Sequence, residues 1–170
     1  SRKVDDGSPT RFLTDYYNVS GYSQVLAELN SDGEADCKYY YGGAGILAQL
    51  DSQNGLAFFH GDHLGTTKLL TGSNGLDIPN SSFDYTPGGV PDNDPGIDRS
   101  LTNYYFTGQH RDPISSLQYH RARWYNPWLT NWISVDPVFD YPGNIGNEYG
   151  YCGGNNVYKK DISGLSCSLL

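Results

Sequence analysis

Side chains able to do chemistry fall in a few places along this 170-residue chain. His60, Asp62 and His63 are ligand types used at mononuclear metal sites. Asp92, Asp94 and Gly96 resemble the start of a calcium loop, but the Glu that closes such a loop is absent. Ser115, Ser116 and His120 lie close in sequence without the Gly-x-Ser-x-Gly elbow of a hydrolase. Trp124, Trp128 and Trp132 are spaced like a helical stripe or a sugar-stacking platform, yet Pro127 interrupts any helix there and favours packing in a core. Cys37, Cys152 and Cys167 include no Cys-x-x-Cys, so no zinc spacing is present. These patterns imply neither a metal nor a cofactor.

The elements that must position such groups are short strands. With 15 Tyr, 6 Phe, 3 Trp, 21 Gly and 9 Pro, the composition is that of a mainly β chain with many tight turns. Asp32-Gly33, Asn54-Gly55 and Asn74-Gly75 alternate with aromatic clusters and predict type I′ hairpins, with positive φ at both central residues. A repeat of this kind implies stacked units, none of which buries its apolar face alone. The expected strands are 25–29 and 38–41, 46–50 and 56–60, then 67–71 with a return before residues 83–85. Three further runs, 117–119, 123–125 and 132–135, are bounded by Asp112-Pro113, Asn126-Pro127 and Asp136-Pro137, because proline cannot donate to a ladder. Residues 1–10 show no apolar periodicity and read as a lead-in, and residues 86–99 read as a Pro/Gly/Asp loop. Glycines around residues 147–151 limit a helix there to a turn or two.

The net charge of −8 supplies no basic face, which argues against nucleic acid as a partner. No apolar run is long enough to span a membrane, and no signal peptide is present. The chain starts with Ser and contains no Met, and so reads as a processed product or an excised piece of a longer protein. For an extracellular chain, three cysteines give one disulfide and one spare thiol. Cys152 and Cys167, closest in sequence, are the expected pair. Asn18 and Asn80 each open a glycosylation sequon, of use only in a glycosylating host.

The segments FTGQHRDP, LQYHRARWYNP and WISVDP together resemble the RHS repeat-associated core domain, which closes the YD-repeat shells of bacterial RHS and Tc-type toxins. The segments LAQLDSQNGLAFFHGDHLGTTKLLTGSNG and FDYTPGG look like the last YD repeats before such a core, which makes His60, Asp62 and His63 part of a repeat turn. The resemblance implies antiparallel YD-repeat hairpins over 11–100 stacked into a curved sheet, an RHS core over 101–165 with at most one or two short helices, and a tail at 166–170. It also implies an aspartyl autoprotease that cuts its own chain after the Leu of a terminal Asp-Pro-x-Gly-Leu. Carried over, Arg123, Asp136 and Asp161 are its working residues and Leu165–Ser166 is its scissile bond.

Such chemistry has a physical basis. Two close carboxylates do not both ionise cheaply, so one keeps a proton while the other acts as base toward water. A nearby arginine holds the ionised partner or a developing oxyanion. The chain departs from the family pattern at Phe139, where the family has Gly, and at Ile162, where it has Pro. The expected function is therefore a structural scaffold module of a secreted or surface protein carrying a self-cleavage site, with the remainder of a larger shell as partner. The alternative is a non-catalytic subunit of an extracellular filament, joined to copies of itself by edge pairing or strand exchange.

Overall fold

The computed structural model describes residues 2–3, 9–43, 45–92, 100–138 and 147–169. The chain divides into two units, residues 1–60 with 70–78, and residues 61–69 with 79–170.

A seven-stranded sheet orders its strands as the chain does: β1 (Arg2–Lys3), β2 (Pro9–Asp15), β3 (Gln24–Leu29), β4 (Ala35–Gly42), β5 (Gly45–Asp51), β6 (Gly55–Gly61) and β7 (Thr67–Gly72). Arg2–Lys3 pairs with Pro9–Thr10, so part of the segment read as a lead-in is strand. Along β4 the period of two puts Cys37 and Tyr39 inside, with Lys38 and Tyr40 exposed. Ala27, Ala48 and Ala57 are buried on β3, β5 and β6, and the Tyr39 hydroxyl donates to the buried Glu28 carboxylate at 2.7 Å.

The hairpins form at the expected turn residues, but not by type I′ turns. Within the three turns positive φ falls on Gly33, Gly55 and Gly75, and not on Asp32, Asn54 or Asn74. At Asn30–Glu34 the Gly33 amide donates to the Asn30 carbonyl and the Asn30 amide to the Glu34 carbonyl, a three-residue loop closed by a left-handed glycine. The same two bonds recur at Gly72–Leu76 and, in the second unit, at Asp62–Thr66 and Thr86–Val90. In two of the three turns the physical reason lies in the residue that opens the turn. Asn30 and Asp51 accept the following loop amides with their own side chains, which favours ordinary negative φ up to the glycine.

The second unit carries an antiparallel sheet ordered β11 (Asn131–Trp132), β10 (Arg123–Asn126), β9 (Gln118–His120), β8 (His110–Arg111), and a small ladder of β12 (Lys159–Lys160) with β13 (Ser168–Leu169). Three-residue 3₁₀ turns at Phe106–Gly108 and Cys152–Gly154 are the helical elements among the described residues. No helix forms over 147–151, where Gly150 instead bridges to Asn131. The architecture is thus mainly β and antiparallel. Phe106, Tyr125, Trp132, Tyr151 and Cys152 make the core, with Tyr125 and Tyr151 ring centroids 4.5 Å apart and Trp132 5.2 Å from Tyr151. Of the three tryptophans only Trp132 packs there. Trp124 follows Arg123 on the opposite side of β10, and both it and Trp128 are exposed.

Candidate functional site

β10 alternates buried and exposed positions, and Arg123 takes its first buried one, beside Tyr125. β11 ends at Trp132, and the chain bends at Ile133–Ser134 before Asp136-Pro137. The Asp136 carboxylate accepts the Val138 amide at 2.9 Å, an Asx turn over the proline that fixes its direction. Asp161 follows β12 and opens the DISGL turn.

These three side chains meet. Arg123 Nη2 lies 2.9 Å from Asp136 Oδ2 and 3.6 Å from Asp161 Oδ2, with the three side chains only 4%, 4% and 1% exposed. The guanidinium plane carbon sits 4.2 Å from the centre of the Trp132 ring, so its remaining face is covered by a cation–π contact. Its Nε donates to the Gly164 carbonyl at 2.5 Å and its Nη1 to the Glu148 carbonyl at 3.4 Å.

The two oxygens of Asp161 differ. Oδ1 accepts from the Ser163 amide (3.1 Å) and hydroxyl (3.0 Å), the Gly164 amide (2.7 Å) and the Leu165 amide (3.3 Å). Oδ2 is buried with no hydrogen-bond partner among the described residues, and faces Arg123 Nη2 at 3.6 Å. Burial pushes the Asp161 carboxyl above its ordinary value, while Ser163, the nearby amides and Arg123 pull it back. Burial likewise lowers Arg123, against the pull of Asp136 and Asp161. The arrangement can therefore hold a charge and a proton side by side against one buried guanidinium, next to a fixed stretch of backbone.

Residues not singled out for this role complete the setting. His120 is fully buried, held neutral with its pKa pulled down to about 3 mainly by burial, and its Nδ1 lies 2.5 Å from the Asp161 carbonyl. Arg121 donates to the Ile162 carbonyl at 2.6 Å and to Gln109 at 2.8 Å, and the Tyr151 hydroxyl accepts the Asp161 amide at 3.1 Å. The alternation in QYHRARWY carried a usable signal: Gln118, His120, Arg123 and Tyr125 are the buried positions of the hairpin, three of them polar.

Leu165 is half-buried and Ser166 exposed, directly after the DISGL turn. Cys152 and Cys167 are joined by a disulfide with Cα atoms 5.4 Å apart, and Cys37 is a buried free thiol. Asn80 is exposed; Asn18 turns its amide nitrogen onto the Asp15 and Tyr22 carbonyls. The metal-type residues are otherwise employed. His60 pairs with Thr71, Asp62 caps the amides of Leu64 and Thr66, and His63 bonds the Val157 carbonyl. No group of three metal-ligating side chains occurs among the described residues. Ser115 is bonded to Asp112 and Ser116 to Arg111, away from any His120 pairing. Asp94, Gly96 and Phe139 lie outside the described residues.

No protein-family model matches the chain. The tRNA3(Ser)-specific nuclease WapA of Bacillus spizizenii is 27% identical over 145 residues, covering 85% of this chain and 6% of WapA. The toxin protein Tse5 of Pseudomonas aeruginosa is 32% identical over 115 residues, covering 68% of this chain and 8% of Tse5. The chain thus spans less than a tenth of these relatives' length. Among solved structures, TcdB2–TccC3 without its hypervariable C-terminal region matches at TM-score 0.55 and 18% identity, over 94% of this chain and 10% of that one. A Tc holotoxin pore of Photorhabdus luminescens matches at TM-score 0.60 and 18% identity, over 99% of this chain and 9% of that one. At this identity the structural likeness shows the fold.

Proposed function

We propose that this chain, a relative of RHS-type toxin proteins with the fold of Tc toxin components, is a scaffold module of a larger secreted or surface shell that carries an aspartyl self-cleavage site. The observation that carries the reading is one buried guanidinium holding Asp136 and Asp161 beside a segment of the chain itself. In this reading Asp136, close-paired with Arg123, is the base that takes a proton from water. Asp161, raised by burial and with Oδ2 buried 3.6 Å from Arg123 Nη2, carries the proton given to the carbonyl of the bond under attack. The water oxygen bonds to the Leu165 carbonyl carbon, the Leu165–Ser166 bond breaks, and the Ser166 nitrogen leaves as an amine with the returned proton. No substrate pocket is needed, because the chain presents its own peptide bond.

The reaction requires Asp161 protonated, so it fades as pH rises through that group's raised pKa. The test is the rate at which a C-terminally extended chain releases a fragment beginning at Ser166, measured across pH. A rate that falls from acid toward alkaline pH, and vanishes in Asp161→Asn, supports the reading. A fragment with another N-terminus, or an unchanged rate in the variant, removes it. Neither described chain end favours strand exchange in the filament alternative. Arg2–Lys3 pairs within its own sheet, and Ser168–Leu169 pairs with Lys159–Lys160 beside the Cys152–Cys167 bond.

A further inference from the structure

Four consecutive residues of the β9–β10 hairpin each hold one carbonyl of four consecutive residues in the terminal turn. His120 Nδ1 meets the Asp161 oxygen at 2.5 Å, Arg121 Nη1 the Ile162 oxygen at 2.6 Å, the Ala122 amide the Ser163 oxygen at 3.0 Å, and Arg123 Nε the Gly164 oxygen at 2.5 Å. The offset is 41 residues at His120, Arg121 and Arg123 alike. We infer that residues 120–123 are a four-rung carbonyl clamp that fixes the register of the terminal segment and reads it as Asp-x-x-Gly.

A carbonyl ladder accepts almost any side chain, so selectivity must come from positions where the side chain itself is constrained. Two such positions exist. Asp161 gathers the amides of residues 163–165 on one oxygen, which no uncharged aliphatic residue can do. Gly164 has φ +73°, and a Cβ there would stand 2.6 Å from the His120 oxygen and 2.9 Å from the Arg123 nitrogen, both backbone atoms. Between them, Ile162 and Ser163 are half-buried, and the Ile162 amide makes no hydrogen bond among the described residues. Proline at that position removes no bond. The family's Pro and this chain's Ile are therefore both compatible with the clamp.

The hairpin turn supplies an independent observation. Arg123 pairs with His120, which leaves Arg121 and Ala122 as a two-residue turn. Arg121 has φ +65° and Ala122 does not, a II′ pattern whose first position ordinarily takes glycine. A long side chain at positive φ is strained, and strain of this kind persists where the side chain has a use. The use visible here is the guanidinium bridging Ile162 and Gln109. Arg121 and His120 are positioning residues. Under the self-cleavage reading, on which this consequence rests, the ladder ends one residue before the proposed bond and so decides which bond is cut.

The test separates the clamp from the chemistry. In the full chain carrying Asp136→Asn, so that nothing is cut, amide exchange at Gly164 and Leu165 is compared with and without Arg121→Gly. Glycine suits φ +65°, so thermal unfolding should stay close to that of the parent. Exchange at the two amides should rise roughly 10- to 100-fold, as expected for losing a charged hydrogen bond. Ile162→Pro should leave Gly164 and Leu165 protected. Arg121→Asn, which tolerates the same backbone but cannot reach Ile162, must repeat the result if Arg121→Gly does not fold. Unchanged protection in both Arg121 variants overturns the clamp, even where the Asp136 chain is cut. Lost protection alongside an Asp136 chain that never cuts leaves the clamp standing and removes self-cleavage.

Discussion

Replacing Arg123 by Met tests the electrostatic logic of the centre more sharply than any other substitution. The side chain is 4% exposed, so methionine occupies similar buried volume, but the two carboxyl groups lose the charge between them. Removing one partner of a buried ion pair costs about 3–5 kcal/mol, because the remaining charge stays out of water. The lost bonds to the Gly164 and Glu148 carbonyls act in the same direction. The loss must depend on pH. Asp161 is already raised by burial, and without Arg123 it rises further. A carboxyl whose folded pKa exceeds its unfolded value binds more protons in the folded state, so stability falls as pH rises through that interval and returns on acidification. All three tryptophans lie in the second unit, so their fluorescence during urea unfolding reports this unit alone. The expected result is a deficit of about 3–5 kcal/mol near neutral pH that shrinks by at least half at about pH 4.5. A deficit below about 1 kcal/mol, or one that does not change with pH, would refute the claim that Arg123 holds the buried carboxyl pair together.

Three further outcomes follow from the same structure. Gly164→Ala should destabilise the second unit by roughly 1–3 kcal/mol in the fluorescence assay, since an added Cβ meets two backbone atoms in a left-handed conformation. Cys167→Ser opens a cross-link of 15 residues' separation and should cost about 3 kcal/mol by the chain-entropy model, read from the same urea curves under oxidising conditions. Cys37, buried and pushed up to about 11 chiefly by desolvation, should resist an aromatic disulfide reagent at mildly alkaline pH until the protein is unfolded. Rapid labelling of the native protein would mean that the strand carrying it opens readily.

Much of the β architecture was legible because its signals are local. Asp32-Gly33, Asn54-Gly55 and Asn74-Gly75 mark real turns, and the period of two along residues 35–42 separates buried Cys37 and Tyr39 from exposed Lys38 and Tyr40. At two of the turns the geometry was misread because the opening Asn30 and Asp51 side chains, rather than the dipeptides, decide where positive φ falls. The strand expected over 132–135 shortens to Asn131–Trp132, since the chain bends there before Asp136 meets Arg123. That Arg123, Asp136 and Asp161 belonged together came from resemblance. Spacing alone gives no reason for residues so far apart in sequence to meet. The clamp was invisible for the same reason. Backbone carbonyls carry no sequence. His120 drew notice only for its closeness in sequence to Ser115 and Ser116, and nothing singled out Arg121.

The most direct measurement of the central claim is intact mass under reducing conditions, on the chain and on Asp161→Asn, each with a short C-terminal extension. Reduction matters because the Cys152–Cys167 bond would otherwise hold residues 166 onward to the cut chain. The account predicts a product ending at Leu165 from the parent chain and none from the variant. Full-length mass for both would contradict it, and the centre would then be a structural ion cluster.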